Sequence, residues 1–248
     1  MSNIKNRFKE NQNLGTIVAL LILICFVSVL NPAFLQVSNL LNLMRQLIIN
    51  GFVALGMTFV ILTGGIDLSV GSTLALSSAI FAGLLQNGTN TILAILVAIL
   101  LAIILGLING LLITKGKLAP FIVTLATMTI FRGLTLVFMD GRPIAGPRDD
   151  FAFQFLGKGQ VLGIPFQVIL FIIVYIILWM ILNKTSYGRK IFAVGGNEKA
   201  SFISGINIAK SKTFVYVISA LMAVISGLVL TSRLNSAQPT AGSAYEMD

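Results

Sequence analysis

Seven apolar runs divide this sequence, at residues 14–30, 40–63, 70–86, 91–113, 119–139, 166–182 and 213–232. A helix of roughly 20 apolar residues crosses the hydrocarbon core of a bilayer, about 30 Å thick. Within lipid, only helices and closed barrels satisfy their own backbone hydrogen bonds. The runs therefore predict an all-α fold, a polytopic transmembrane helical bundle with about seven spans. Composition excludes a soluble alternative: 56% of residues are hydrophobic, 10% are charged, and the mean hydropathy is +0.97. A soluble domain needs about a quarter charged residues to face water.

Residues 1–13 read as a cytoplasmic N-terminal leader and 14–248 as one transmembrane domain, with a basic cytoplasmic segment at 183–212. The leader's Lys5, Arg7 and Lys9 before an apolar run resemble a signal peptide, but "NPAF" follows instead of a small-residue cleavage site. A retained first span fits better. Seven spans with the N-terminus inside put residues 31–39, 87–90, 140–165 and 233–248 outside. Eleven basic residues then fall on the inner side and four outside, which is the bias that orients membrane proteins. The net charge of +9 is explained by that orientation, with no nucleic-acid partner needed.

Three runs carry small residues four apart: Gly71, Ala75, Ala79 and Gly83; Ala94, Ala98, Ala102, Gly106 and Gly110; Ser219, Ala223, Gly227 and Thr231. That spacing makes one flat face per helix, where a neighbouring backbone approaches closely. The runs are thus expected to pack together. No internal repeat is visible.

One break carries a charge. In "GMTFVILTGGIDLSVGSTLAL", Gly64 and Gly65 suit a helix end, and Asp67 suits an N-cap that accepts from the N–H groups of Ser69 and Val70. A charge at mid-bilayer costs about 2.5–3.5 kcal/mol on insertion scales, and such capping lowers that cost. Asp67 is then a structural cap, or the broken segment Thr63, Gly64, Gly65, Asp67 and Ser69 also borders a translocation path. Gln46, Asn50, Thr58, Asn109 and Arg132 are further polar candidates for that path; each also suits a helix–helix hydrogen bond.

The basic segment "NKTSYGRKIFAVGGNEKASFISGINIAKSK" is too patterned for a simple turn. Gly195–Gly196 leads into Asn197 as an N-cap, "EKASFIS" follows as a short helix, and Gly205 ends it. The segment is expected to be a cytoplasmic coupling loop carrying a protruding short helix presented to another protein, or else a solvated loop whose charges only set topology.

Catalytic chemistry has little to build on. The sequence has no histidine and one cysteine, Cys25, inside the first run. Zinc sites, cysteine–histidine catalysis and histidine proton relays are thereby removed, and no metal site or catalytic residue is expected. No G-x-x-x-x-G-K-[ST] phosphate cradle occurs, so energy has to come from elsewhere. An ion-coupled secondary carrier of a small polar solute remains an alternative, disfavoured by the lack of opposite charges deep in the runs.

Four stretches go further: "GMTFVILTGGIDLSVGS", "LAPFIVTLATMTIFRGLT", "YGRKIFAVGGNEKASFISGI" and "RLNSAQPTAGSAYEMD". Together they resemble the ribose-type sugar ABC transporter permeases, from about residue 14 to the end. The resemblance implies a bacterial inner-membrane permease with a cytoplasmic N-terminus, working as a homodimer. It implies a separate ATP-binding cassette ATPase, where ATP is used, and an extracytoplasmic sugar-binding protein, with no cofactor in this chain. Gly195, Gly196, Asn197, Glu198, Ala200 and Gly205 fall where that family couples to its ATPase. The Glu198–Gly205 spacing is one residue longer than in the wider permease motif. Family members also continue past Asp248, so the resemblance implies a chain shortened at its C-terminus.

Overall fold

The computed structural model describes residues 12–247; the leader expected at 1–13 lies outside these except for its last two residues. The helices are α1 (Gln12–Leu30), α2 (Val37–Leu62), α3 (Val70–Gln86), α4 (Thr91–Thr114), α5 (Pro120–Phe138), α6 (Phe151–Lys158), α7 (Phe166–Lys184), α8 (Ser186–Gly196), α9 (Glu198–Ile203) and α10 (Ile208–Leu234). Five of them (α2, α4, α5, α7, α10) are long and apolar enough to cross a membrane, and α1 and α3 are shorter apolar helices. The seven runs thus correspond to seven helices. The largest boundary shift is at α10, which begins at Ile208, five residues before the expected start.

The chain groups into two compact units, residues up to Met44 and residues from Arg45. The first holds α1 and a 3-10 turn at Pro32–Leu35, capped by the Asn31 side chain accepting from Ala33 N–H. The second holds the core and both candidate sites.

In that larger unit α10 is the central helix. About 72% of its apolar window is buried, against 17% for α7. The small-residue faces explain why. Ala94, Ala98, Ala102, Gly106 and Gly110 of α4 are all buried. A Cβ at Gly106 would lie 2.6 Å from Val217 Cα and 2.8 Å from the Tyr216 carbonyl oxygen, and one at Gly110 would lie 2.7 Å from Thr213 Cα. Gly227 of α10 meets the Leu74 carbonyl in the same way, at 2.8 Å. Without a hydrophobic reward for association in lipid, such close backbone contacts supply the dispersion energy that holds helices together.

Residues 140–165 are more than a connection. The two-residue strand β1 (Ile144–Ala145) pairs antiparallel with β4 (Ser236–Ala237), and β2 (Gln160–Val161) pairs with β3 (Ile164–Pro165). Between them α6 lies on the end of α10, with Phe153 fully buried beside the Phe81 ring. Asp150 caps α6 by accepting from Phe153 N–H at 2.9 Å, and also accepts from the Thr91 hydroxyl at 2.6 Å. The hydropathy pattern carried no sign of this, because α6 is short and is anchored by one buried aromatic, Phe153, and a few polar contacts.

Two outcomes test this packing. Gly106→Val should destabilise by about 1–3 kcal/mol through overpacking, whereas Gly133→Ala, with open space around it, should be neutral or stabilise by up to about 1 kcal/mol. Thermal unfolding in detergent reads both. The Thr91 hydroxyl, then the Phe153 N–H, hold the Asp150 carboxyl below its ordinary range. Its contribution is present above the unfolded carboxylate value of about 4 and fades as pH falls through the lowered one. Asp150→Ala should therefore cost about 1 kcal/mol at pH 7, with the gap to the parent closing toward pH 3.

Candidate functional site

Two sites expected from the sequence meet in the structure: the glycine break and the basic segment. The break begins where α2 ends. Gly65 N–H donates to the Val60 carbonyl at 3.0 Å and Gly64 N–H to the Ile61 carbonyl at 2.9 Å, with Gly64 at φ +72°. This is a Schellman ending, which needs the left-handed conformation that glycine takes without steric cost. The Thr63 hydroxyl donates to the Val60 carbonyl as well. A Cβ at Gly65 would lie 2.6 Å from the Tyr216 hydroxyl, so α10 passes close by.

Beyond the glycines the chain enters a buried polar knot. Asp67 is 2% exposed. Its Oδ1 accepts from Ser69 N–H at 3.0 Å and from the Ser69 hydroxyl at 2.6 Å; its Oδ2 accepts from the Ser219 hydroxyl of α10 at 2.8 Å. The Asn109 amide of α4 donates to Ser69 Oγ at 2.8 Å. The Ile66 carbonyl faces the Tyr216 hydroxyl at 3.4 Å and the Thr124 hydroxyl of α5 at 3.5 Å. Helices α4, α5 and α10 thus converge on one short irregular segment.

The expected cap needs correcting. The N-cap position of α3 is Ser69, and no side chain caps it. Asp67 sits two residues earlier, folds back on Ser69 as an Asx turn, and accepts nothing from Val70. Its second oxygen is spent on α10, which makes it a cross-link between helices. Ser219, Tyr216 and Thr124 were not selected from the sequence as partners of the break. Ser219 had been read only as a small-residue position, and no local pattern pairs it with Asp67.

Thr63, Gly64, Gly65, Asp67, Ser69 and Asn109 are therefore brought together, whereas Gln46 and Asn50 are not. Gln46 is exposed on α2. Asn50 and Thr58 border an open cavity of about 480 Å³ with Tyr245 and Glu246. Arg132 is occupied otherwise: its Nη1 donates to the Pro239 and Ala241 carbonyls at 2.9 and 2.8 Å.

The basic segment is helical rather than a loop. Thr185 caps α8 by accepting from Gly188 N–H, and Gly195 and Gly196 are the last residues of α8 instead of a lead-in turn. Asn197 then caps α9 by accepting from Ala200 N–H at 2.9 Å, and Gly205, at φ +78°, follows its end. Burial raises the Tyr187 phenol's pKa, and its hydroxyl donates to the Ser211 carbonyl of α10 at 2.9 Å. Glu198 accepts from Lys212 Nζ at 2.6 Å, tying α9 to α10. On the outer face of α9, Phe202 is 72% and Ile203 is 85% exposed. An open cleft of about 920 Å³ lies beside them, lined by Lys117, Pro120, Glu198, Phe202 and Lys212 among others.

The two sites touch at one point. A Cβ at Gly195 would overlap the carbonyl oxygen of Leu62, the last residue of α2 before the break, and would lie 3.6 Å from Thr63 Cα. Around it, Ile191 of α8 is buried in one cluster with Phe59, Val60, Val215 and Tyr216, and Val194 is buried as well.

Substitution in the knot should be asymmetric. Ser219→Ala removes one interhelical hydrogen bond, worth about 0.6 kcal/mol in membrane proteins. Asp67→Ala leaves three donors without their acceptor, each costing about 1–3 kcal/mol when buried. Thermal unfolding of the two variants should rank them in that order; equal losses would show that Asp67 does not organise the knot.

The comparisons agree with this architecture. The family model described as branched-chain amino acid transport system / permease component matches residues 39–248. The ribose import permease protein of Bacillus subtilis is 58% identical over 237 residues, covering 96% of this chain and 74% of that protein. Its Haemophilus influenzae counterpart is 49% identical, over 93% of this chain and 72% of that protein. The D-allose transport system permease protein of Escherichia coli is 39% identical, over 94% of this chain and 71% of that protein. No solved structure matches. With most of its length matched and such relatives on either side of the same stretch, the chain belongs to this family of multi-pass transport-system permeases, among its sugar permeases.

Proposed function

We propose that this chain is the membrane-spanning permease subunit of an ATP-driven ribose importer in a bacterial plasma membrane. The observation that carries the substrate is the 58% identity, over nearly the whole chain, to a ribose import permease. Branched-chain amino acids, named in the family description, are the weaker reading. The allose and arabinose permeases match over the same stretch at 39% and 35%, so its relatives handle sugars.

In this reading the chain holds no catalytic site and works as a homodimer with its N-terminus in the cytoplasm. Two ATP-binding cassette subunits hydrolyse ATP beneath it, and an extracytoplasmic sugar-binding protein delivers ribose from above. α9 is the element the ATPase grips. Phe202 and Ile203 face outward from a short, well-capped helix, and two large apolar side chains in water on such a helix suit a protein partner. Asn197 and Gly205 set the angle of that helix, as its cap and its glycine end. An uncharged, polyhydroxylated solute needs hydroxyl and amide partners in its path rather than rings of charge. Asn50 and Thr58 beside their cavity supply such groups. Weak contacts suffice, because selectivity resides in the binding protein.

Reconstitution in liposomes tests this. Ribose uptake should require ATP, the ATPase subunit and the binding protein together, and leucine should not be taken up. Uptake driven by an ion gradient without the ATPase would establish a secondary carrier instead. Phe202→Asp with Ile203→Asp should weaken ATPase capture by about tenfold or more, since buried apolar anchors are worth about 1–2 kcal/mol each. A protease site placed at Ser204 should be cut only from the cytoplasmic side.

A further inference from the structure

We infer that Gly195 is a positioning residue that passes movement of the ATPase-facing helix α9 into the glycine break at Thr63–Asp67. The inference rests on the proposed coupling role of α8 and α9 and adds to it the route by which their movement reaches the membrane interior.

Three observations define the route. Gly195 lies against the Leu62 carbonyl so closely that no side chain fits, and only Gly196 and the Asn197 cap separate it from α9. Ile191 on the inner face of α8 is buried in the same cluster as Phe59 and Val60 near the end of α2. One residue after Leu62, past Thr63, come Gly64 and Gly65, with Gly64 at positive φ, and after them the Ile66 carbonyl and Asp67, held by α5 and α10. A rigid helix therefore presses on the last helical carbonyl before a hinge, while the far side of the hinge is anchored. Hinges are a few element-terminal residues that absorb backbone rotation. Displacement of α8 has to be taken up there.

Glycine is required at 195 because the contact is backbone to backbone. An alanine pushes the Leu62 carbonyl away and turns a tight stop into a loose one. The two ends of the route are both biased by this packing, which is the physical requirement for coupling between sites. Simple packing damage has a different signature: it lowers the amount of folded complex, and with it hydrolysis and uptake alike.

The test uses the complete transporter in liposomes with its ATPase and sugar-binding protein, comparing Gly195→Ala with the parent. Copurification and ATP hydrolysis should stay near parental, while sugar moved per ATP hydrolysed should fall about tenfold, within the span of typical coupling energies. Gly15→Ala, in open space on α1, should match the parent. Hydrolysis and uptake falling together, or neither falling, overturns the route. If Gly195→Ala does not assemble, a spin label at Ile66→Cys in a Cys25→Ser background decides. ATP with vanadate should change its spectrum in the Gly195 protein, and an unchanged spectrum overturns the inference. A parent complex that never captures the ATPase would instead overturn the coupling role itself, a result separable from failure of Gly195 alone.

Discussion

Close approach of backbones is the constraint on which this structure depends. Lipid tails are as apolar as leucine, so helices gain nothing by hiding leucines from them. What remains is dispersion, which grows steeply as surfaces come into register. α10 satisfies this by presenting small residues to both α3 and α4, so that Gly106, Gly110 and Gly227 each meet a neighbouring backbone without an intervening side chain. The large apolar residues go the other way. Ile92, Leu96 and Leu100 of α4 are exposed, on the face opposite Ala94, Ala98 and Ala102. One helix thus divides its residues by size, small toward protein and large toward lipid.

The second constraint is that irregular backbone inside a membrane must find partners within the protein. The break between α2 and α3 meets it at the carbonyls of Val60, Ile61 and Ile66. Val60 and Ile61 receive the N–H groups of Gly65 and Gly64, and Ile66 faces two hydroxyls from other helices. The Leu62 carbonyl abuts Gly195. Asp67 is the extreme case, since a buried carboxylate without donors would cost several kcal/mol. Its three neutral donors come from Ser69 and Ser219, so the charge that looked like the weakness of the sequence fastens α10 to the break.

What was legible in the sequence follows from the range of each signal. Hydropathy and four-residue spacing are local, and they located seven helices and the faces that α3, α4 and α10 bury. Capping is local too, so Asn197 and Gly205 were readable as the start and end of α9. α8 was not: "SYGRKIFAVGG" has three glycines in eleven residues, which by propensity reads as a loop, and burial of Ile191 in one cluster with α2 and α10 residues overrides it. The Asp67–Ser219 bond joins residues 152 apart, and Gly195 meets Leu62 from a comparable distance along the chain. No periodicity encodes such pairs, and only the folded bundle shows them. The segment around α6 was missed for the same reason, its polar anchors being isolated bonds such as Gln154 to Asn235.

Arg132 shows how such pairing changes a functional reading. An arginine in the middle of a span costs about 2.5–3.5 kcal/mol on insertion scales, which makes it an obvious candidate to meet substrate. Here its guanidinium is held by the carbonyls of Pro239 and Ala241. Those bonds bring the chain after α10 back toward the start of α3, where Gly242 lies against Gly71 too closely for a side chain on either. The first turn of α3 is then gripped from two directions, by the Asp67 knot before it and by this returning segment beside it. A helix start held so firmly makes a poor moving part. In the proposed route, movement at the break is therefore absorbed upstream, in Gly64 and Gly65, on the side where α8 lies against Leu62.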